Sequence, residues 1–362
     1  MNLLDIFLEL LIVVIAVVSL VANLLVLLCF TCSAQVRAQV PAIFIMNLSF
    51  CNILIAVLNM PSTLLGVVKH QKPFGDHFCY TVSFMDTFLT ANTMLSMAAL
   101  SIDRWIAVVF PLTYPSKMRL KNAALMVSYA WLHSLAFSLT TLLLSWVDYS
   151  PAYASCTVHL REDAESRGHF VVFTAVFHAC TFAFSLFILC FAYLKVLQVA
   201  RFHCKRIDVI TVQTILLLVD IHPSVKQRCL LEQKKRRQRA TKKICIFIGS
   251  FVLCFAPYVI TRLTELAPSV KIARYWGIMS KCLVYSKAAS DPFVYSLLRQ
   301  QYKKALFGIC NRILGRNLYT LSGHSSPSDL ENECYSQRPL ARHAGSLKLV
   351  LKTLQCCLGK EL

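Results

Sequence analysis

Ser101-Ile-Asp-Arg-Trp-Ile-Ala-Val-Val-Phe-Pro-Leu-Thr-Tyr114 closes an apolar run from Phe84 to Ile102 that only Asp86 interrupts. An acid–guanidinium pair, Asp103–Arg104, therefore stands where a greasy segment gives way to a basic loop. A permanent cation at the end of a membrane span is costly, so its placement there marks a function.

Outward from that pair the chain is blocked rather than mixed. Leu10–Val36, Ala38–Val68, Asn122–Val147 and Gly168–Leu194 each lack Asp, Glu, Lys and Arg. Each is long enough as a helix to cross a hydrocarbon core of about 30 Å. His77–Ile102, Ile244–Thr261 and Arg274–Leu298 are less clean: the first holds Asp86, the second is short, and the third carries Lys281, Lys287 and Asp291. The total is seven spans, over residues 10–300, after a short extracellular N-terminus, 1–9. At 57% hydrophobic and 15% charged, the 362 residues cannot cover a soluble bundle with a polar surface.

An odd number of spans puts the termini on opposite sides. Lys117, Arg119 and Lys121 share one loop, a loop at about 201–236 is strongly basic, and Arg299, Lys303 and Lys304 follow the last span. The positive-inside rule then places the N-terminus outside and the C-terminus in the cytosol. The net charge of +19 describes an inner face on anionic membrane lipids rather than a nucleic-acid binder. Asp5 and Glu9 replace the basic start of a signal peptide, so the first helix is expected to stay uncleaved. Asn47-Leu-Ser49 fits a glycosylation acceptor but falls inside a span. Val209–Val219, apolar between Asp208 and Asp220, is too short to cross and reads as a helical extension or an interfacial piece.

Past the seventh span, Tyr302, Leu306, Ile309 and Ile313 recur at helical steps with Lys303, Lys304 and Arg312 off that face. Residues 301–315 therefore predict a short amphipathic eighth helix on the inner leaflet, where Cys310 is the candidate for palmitoylation. The tail, 316–362, is polar and reads as disordered. The sequence holds no metal-spaced His/Cys cluster, phosphate loop or nucleophile elbow, so neither catalysis nor a cofactor is expected.

The motifs resemble those of the rhodopsin-like (class A) G protein-coupled receptors. Asp103-Arg104-Trp105 resembles their Asp-Arg-Tyr box, with tryptophan for tyrosine. Ala22-Asn23-Leu-Leu-Val26 resembles Gly-Asn-x-x-Val, and Trp131 matches the tryptophan of the fourth span, a residue that packing alone also explains. Cys254-Phe-Ala-Pro-Tyr258 resembles Cys-Trp-x-Pro, and Asp291-Pro292-Phe-Val-Tyr295 matches Asp/Asn-Pro-x-x-Tyr. Finer wording, such as Tyr285-Ser-Lys-Ala-Ala-Ser-Asp-Pro292, resembles a small orphan branch of that family.

The resemblance implies a seven-transmembrane helix bundle that activates a heterotrimeric G protein, with arrestin and receptor kinases reached through the tail. It implies a disulfide between Cys79 and Cys156; the other cysteines, scattered without metal-like pairing, read as buried, inert thiols. It puts Asp103, Arg104, Tyr193 and Tyr295 at the coupling face, and a hinge and toggle at Phe255, Pro257 and Pro292. Phe255 replaces the usual tryptophan. Ser185 replaces the proline of the fifth span, so a bulge there is not dictated. Arg237 stands where many members carry an acid that holds the arginine closed. The like charge predicts high basal output, unless both arginines face lipid phosphate.

For the outer pocket the resemblance implies Asp86, Thr90, His178, Tyr258, Arg262, Lys281 and Tyr285. Asp86 lies about five turns above Arg104. It either receives an amine-like ligand or is neutralised internally by Lys281. In the family's sodium pocket, Asn52 replaces an aspartate beside Thr93, Lys287 and Asp291. Lys287 is expected to replace the ion, paired with Asp291 and bonded to Asn52. A stimulatory G protein raising cAMP is the expected partner, and a multi-pass transporter or channel is the alternative reading.

Overall fold

The computed structural model describes residues 3–73, 75–159, 167–217, 245–267, 269–297 and 300–313. The chain divides into two compact units, Met1–Val196 with Ile244–Phe307, and Leu197–Lys243 with Gly308–Leu362. The outer and inner sites described below lie in the first. Of the second, the described residues are helical.

Helix α1 spans Leu3–Cys32, so it starts within the segment read as a short N-terminus, with Asp5 in its first turn where the helix dipole favours an acid. Helix α2 spans Pro41–Lys69, and α3 spans Asp76–Val109, which Pro111 stops two residues later. Helix α4 covers Leu120–Leu143. A hairpin follows, β1 Val147–Ser150 antiparallel to β2 Ser155–Val158. Helix α5 comprises Arg167–His178, a π turn at Ala179–Ala183, and Phe184–Leu217. Helix α6 spans Cys245–Thr264, α7 Arg274–Pro292 and α8 Gln300–Ile313.

Three of these helices widen by a π turn. In α2 the turn Ile55–Asn59 comes just before Pro61, whose missing N–H loosens the ladder there. At the end of α7 a turn of this kind, Phe293–Leu297, continues the helix directly after Pro292. In α5 no proline is needed: the Thr181 hydroxyl donates to the Phe177 carbonyl across the widened turn. Ser185 thus does not prevent the bulge. The run at 209–219 continues α5 as helix to Leu217.

The bundle is inverted relative to a soluble protein. Val13, Val17, Val21 and Leu24 of α1, and Leu125, Leu132, Leu139 and Leu143 of α4, are exposed, while Asn23, Asn52, Asn59, Asn92 and Asp291 are buried. An apolar outer stripe with polar groups paired inside is the arrangement that lipid requires. Among the described residues, five helices are long and apolar enough to cross a membrane: α1, α2, α4, α5 over Arg167–Phe202, and α6. The other two spans, α3 and α7, are less apolar because they carry the charges of the site. Leu8 and Ile12 of α1, Cys51 and Met60 of α2, and Ile278 and Cys282 of α7 belong to one buried cluster.

Candidate functional site

The outer cavity sits between α3, α5 and α6. Asp86, Thr90, His178, Tyr258 and Arg262 all line it. It holds about 40 Å3, room for a few water molecules. Its charges are already matched. Lys281 Nζ lies 3.3 Å from Asp86 Oδ2, and Asn59 Nδ2 donates to Asp86 Oδ1 at 2.9 Å. Arg262 pairs with Glu265 three residues on at 2.6 Å, and it also donates to the Val158 carbonyl. Lys281 and Tyr285 lie behind this wall rather than on it. The Tyr285 hydroxyl shares a 2.8 Å hydrogen bond with Thr63 Oγ1. His178 Nδ1 and Thr174 Oγ1 have no hydrogen-bond partner among the described residues.

The β1–β2 hairpin roofs the cavity. Cys156 of β2 is disulfide-bonded to Cys79 near the start of α3. Tyr153, fully buried, donates to Glu265 Oε2 at 3.0 Å and meets Tyr258 edge-on. Burial pushes its hydroxyl up to about 12, which keeps it a donor. Lys281 Nζ donates to Ser155 Oγ at 2.8 Å.

Halfway down, Lys287 Nζ pairs with Asp291 one turn later on α7. Asn52 Nδ2 donates to the other carboxylate oxygen, Asp291 Oδ2, at 3.2 Å. The expected contact of Asn52 with Lys287 is therefore replaced by one with Asp291, because an amide N–H seeks the carboxylate rather than another donor. Asn23 joins from α1, donating to the Ala288 carbonyl at 3.0 Å. Thr93 is buried nearby on α3, its hydroxyl without a hydrogen-bond partner among the described residues. Asn47 is buried among Asn92, Ser96 and Trp131, whose indole donates to it at 2.7 Å. Trp131 is thus more than packing.

At the inner end, Asp103 is fully buried and Arg104 is 31% exposed by its side chain, the two 3.5 Å apart. Tyr114 donates to Asp103 Oδ1 at 2.8 Å. Burial, then the bond to Asp103, pushes the Tyr114 hydroxyl up to about 12. Arg104 Nε and Nη2 have no hydrogen-bond partner among the described residues. Tyr193 and Tyr295 both pack on Phe247 of α6, each with centroids 4.5 Å from it. Lys287 lies 5.1 Å over the Tyr295 ring, tying the middle layer to the inner one. Phe255 packs on Phe251 at 5.1 Å, near Pro257 and its Thr261-bonded carbonyl. Arg237 lies outside the described residues, and Cys310 is described only as part of the α8 backbone.

Sequence reasoning missed Asn59, Glu265 and Phe247. Two had a signal: Asn59 is two helical turns beyond Asn52, and Glu265 is three residues beyond Arg262. Phe247 is one apolar residue among many in α6 and carries none.

The profile of the 7 transmembrane receptor (rhodopsin family) matches residues 22–295. Human G-protein coupled receptor 26 is 61% identical over 315 residues, 87% of this chain and 93% of that one. Human G-protein coupled receptor 78 is 48% identical over 320 residues, 88% of each. The human Histamine H2 receptor is 25% identical over 346 residues, 93% of this chain and 88% of that one. Asp103–Arg104, Pro257 and Asp291-Pro292-x-x-Tyr295 all fall inside the matched region, and the chain belongs to the rhodopsin family of seven-transmembrane receptors.

Proposed function

We propose that this chain is a plasma-membrane receptor, N-terminus outside and C-terminus in the cytosol, that stimulates nucleotide exchange on a heterotrimeric G protein. Its output is substantial without ligand and runs through a stimulatory G protein that raises cAMP. The observation that carries this reading is Arg104. Asp103 beside it is buried and shares its charge with Tyr114, while Arg104, its side chain 31% exposed, has Nε and Nη2 without a hydrogen-bond partner among the described residues. Such a group is poised to be engaged from the cytosol. Membership of the receptor family favours signalling over the transport alternative. The internal Lys281–Asp86 pair supports a neutralised outer cavity over an amine site.

The test is ligand-free nucleotide exchange on each class of Gα in cells expressing the full chain, with Arg104→Ala beside it. Exchange on the stimulatory class that depends on Arg104 supports the reading. Equal exchange with and without the guanidinium overturns it.

A further inference from the structure

The hairpin does more than cover the cavity. A Cβ built on Gly66 of α2 would run into the carbonyl oxygen of Ala154, and one built on Gly277 of α7 into that of Ala152. The hairpin tip is thus wedged between two helices whose only side-chain-free positions receive its backbone. Ala154 holds a φ of 48°, a left-handed conformation an alanine keeps only when its surroundings impose it. Tyr153 and Ala154 are fully buried.

The tip also consumes the polar groups a ligand would use. Tyr153 takes Glu265, lies 5.3 Å under the Arg262 guanidinium and meets Tyr258. Ser155 takes Lys281. Tyr258 and Arg262 lie on α6 just beyond Pro257, and Glu265 follows directly after the helix's last residue, so contact here bears on the Pro257 bend. What remains open, about 40 Å3, is well below the roughly 300–1,000 Å3 of small-molecule sites.

We propose that the Pro151–Ser155 tip of the hairpin is a tethered occupant of the outer site, seated where a diffusible ligand would bind and sustaining the ligand-free output. Its anchorage by Cys79–Cys156 keeps it at high effective concentration, so the seated state needs no second molecule. An occupant shifts the receptor by its differential contact with the two states, and a tethered one does so permanently. This inference rests on the receptor reading above.

The experiment uses the full chain in cells, with surface amount read from an N-terminal epitope and ligand-free Gα exchange read per surface receptor. Gly66→Ala and Gly277→Ala place a methyl where the tip's carbonyls sit. Each is expected to lower output about five-fold. Tyr153→Phe and Ser155→Ala keep the backbone seat and remove one bond each, and are expected to lower output about two-fold at normal surface amount. These two decide the matter if the glycine variants do not reach the surface. Output unchanged or raised in variants at normal surface amount overturns the proposal. Arg104→Ala run in parallel separates the two failures. If it silences the chain while the hairpin variants signal normally, only the tethered occupant is wrong; if it too is without effect, the receptor reading falls.

Discussion

Lys281 of α7 reaches across the bundle to Asp86 of α3, ammonium to carboxylate at 3.3 Å, with Lys281 buried and the Asp86 side chain 12% exposed. Breaking one half of a buried pair leaves an uncompensated charge, which costs about 3–5 kcal/mol. Lys281→Met and Asp86→Asn should each strongly lower the thermal stability of the purified receptor. The double substitution should recover most of the loss. A double variant as unstable as the sum of the singles would show that the two side chains do not depend on each other.

Lys287 and Asp291 form a buried ion pair, and we propose that it takes the place of the sodium ion of related receptors. An ammonium already in place leaves no site for sodium, so exchanging sodium chloride for choline chloride should change neither basal output nor melting temperature. Lys287→Ala combined with Asn52→Asp should create sodium-dependent stabilisation. Strong suppression of the unaltered receptor by sodium would rule the substitution out.

Tyr114 and Arg104 share one carboxylate. Tyr114→Phe frees Asp103 Oδ1, at present bonded at 2.8 Å, for the guanidinium. Loss of a hydrogen bond to a charged group is worth about 1.5–3 kcal/mol, part of which tightens the Asp103–Arg104 pair. Ligand-free output per surface receptor should fall several-fold. An increase would mean that Tyr114 restrains the arginine instead.

We propose that Arg237 takes the position where many related receptors carry an acid that holds the arginine closed. Repulsion between two like charges about 4 Å apart in water is worth about 1 kcal/mol, enough to move a two-state equilibrium several-fold. Arg237→Glu should therefore lower basal output by that factor, and high salt should shrink the difference in membranes assayed for exchange. No change would place both arginines on lipid phosphate.

Much of the molecule was legible because lipid imposes a one-dimensional rule. A span must be apolar for about 20 residues, so blocks free of charge marked their own places. The remaining charges then had to be inside: Lys287 and Asp291 were readable as partners from their spacing on one helix, and Lys281 as one of two candidate partners for Asp86. The family motifs placed Arg104, Pro257 and Tyr295 with equal economy. Asn52 was assigned the right layer but the wrong partner, since spacing along a helix does not say which way an amide turns.

What the sequence by itself determined was the number of spans, the charges buried among them and the guanidinium at the end of the third, because hydrophobic length and charge placement are local properties. Only the tertiary structure decided that the hairpin descends between Gly66 and Gly277 and takes Lys281 and Arg262 for itself. That seat joins residues more than 80 positions apart, Tyr149 and Gly66 among them. It depends on two helices approaching without a Cβ between them and the loop backbone, and a glycine in a sequence does not announce which carbonyl it admits.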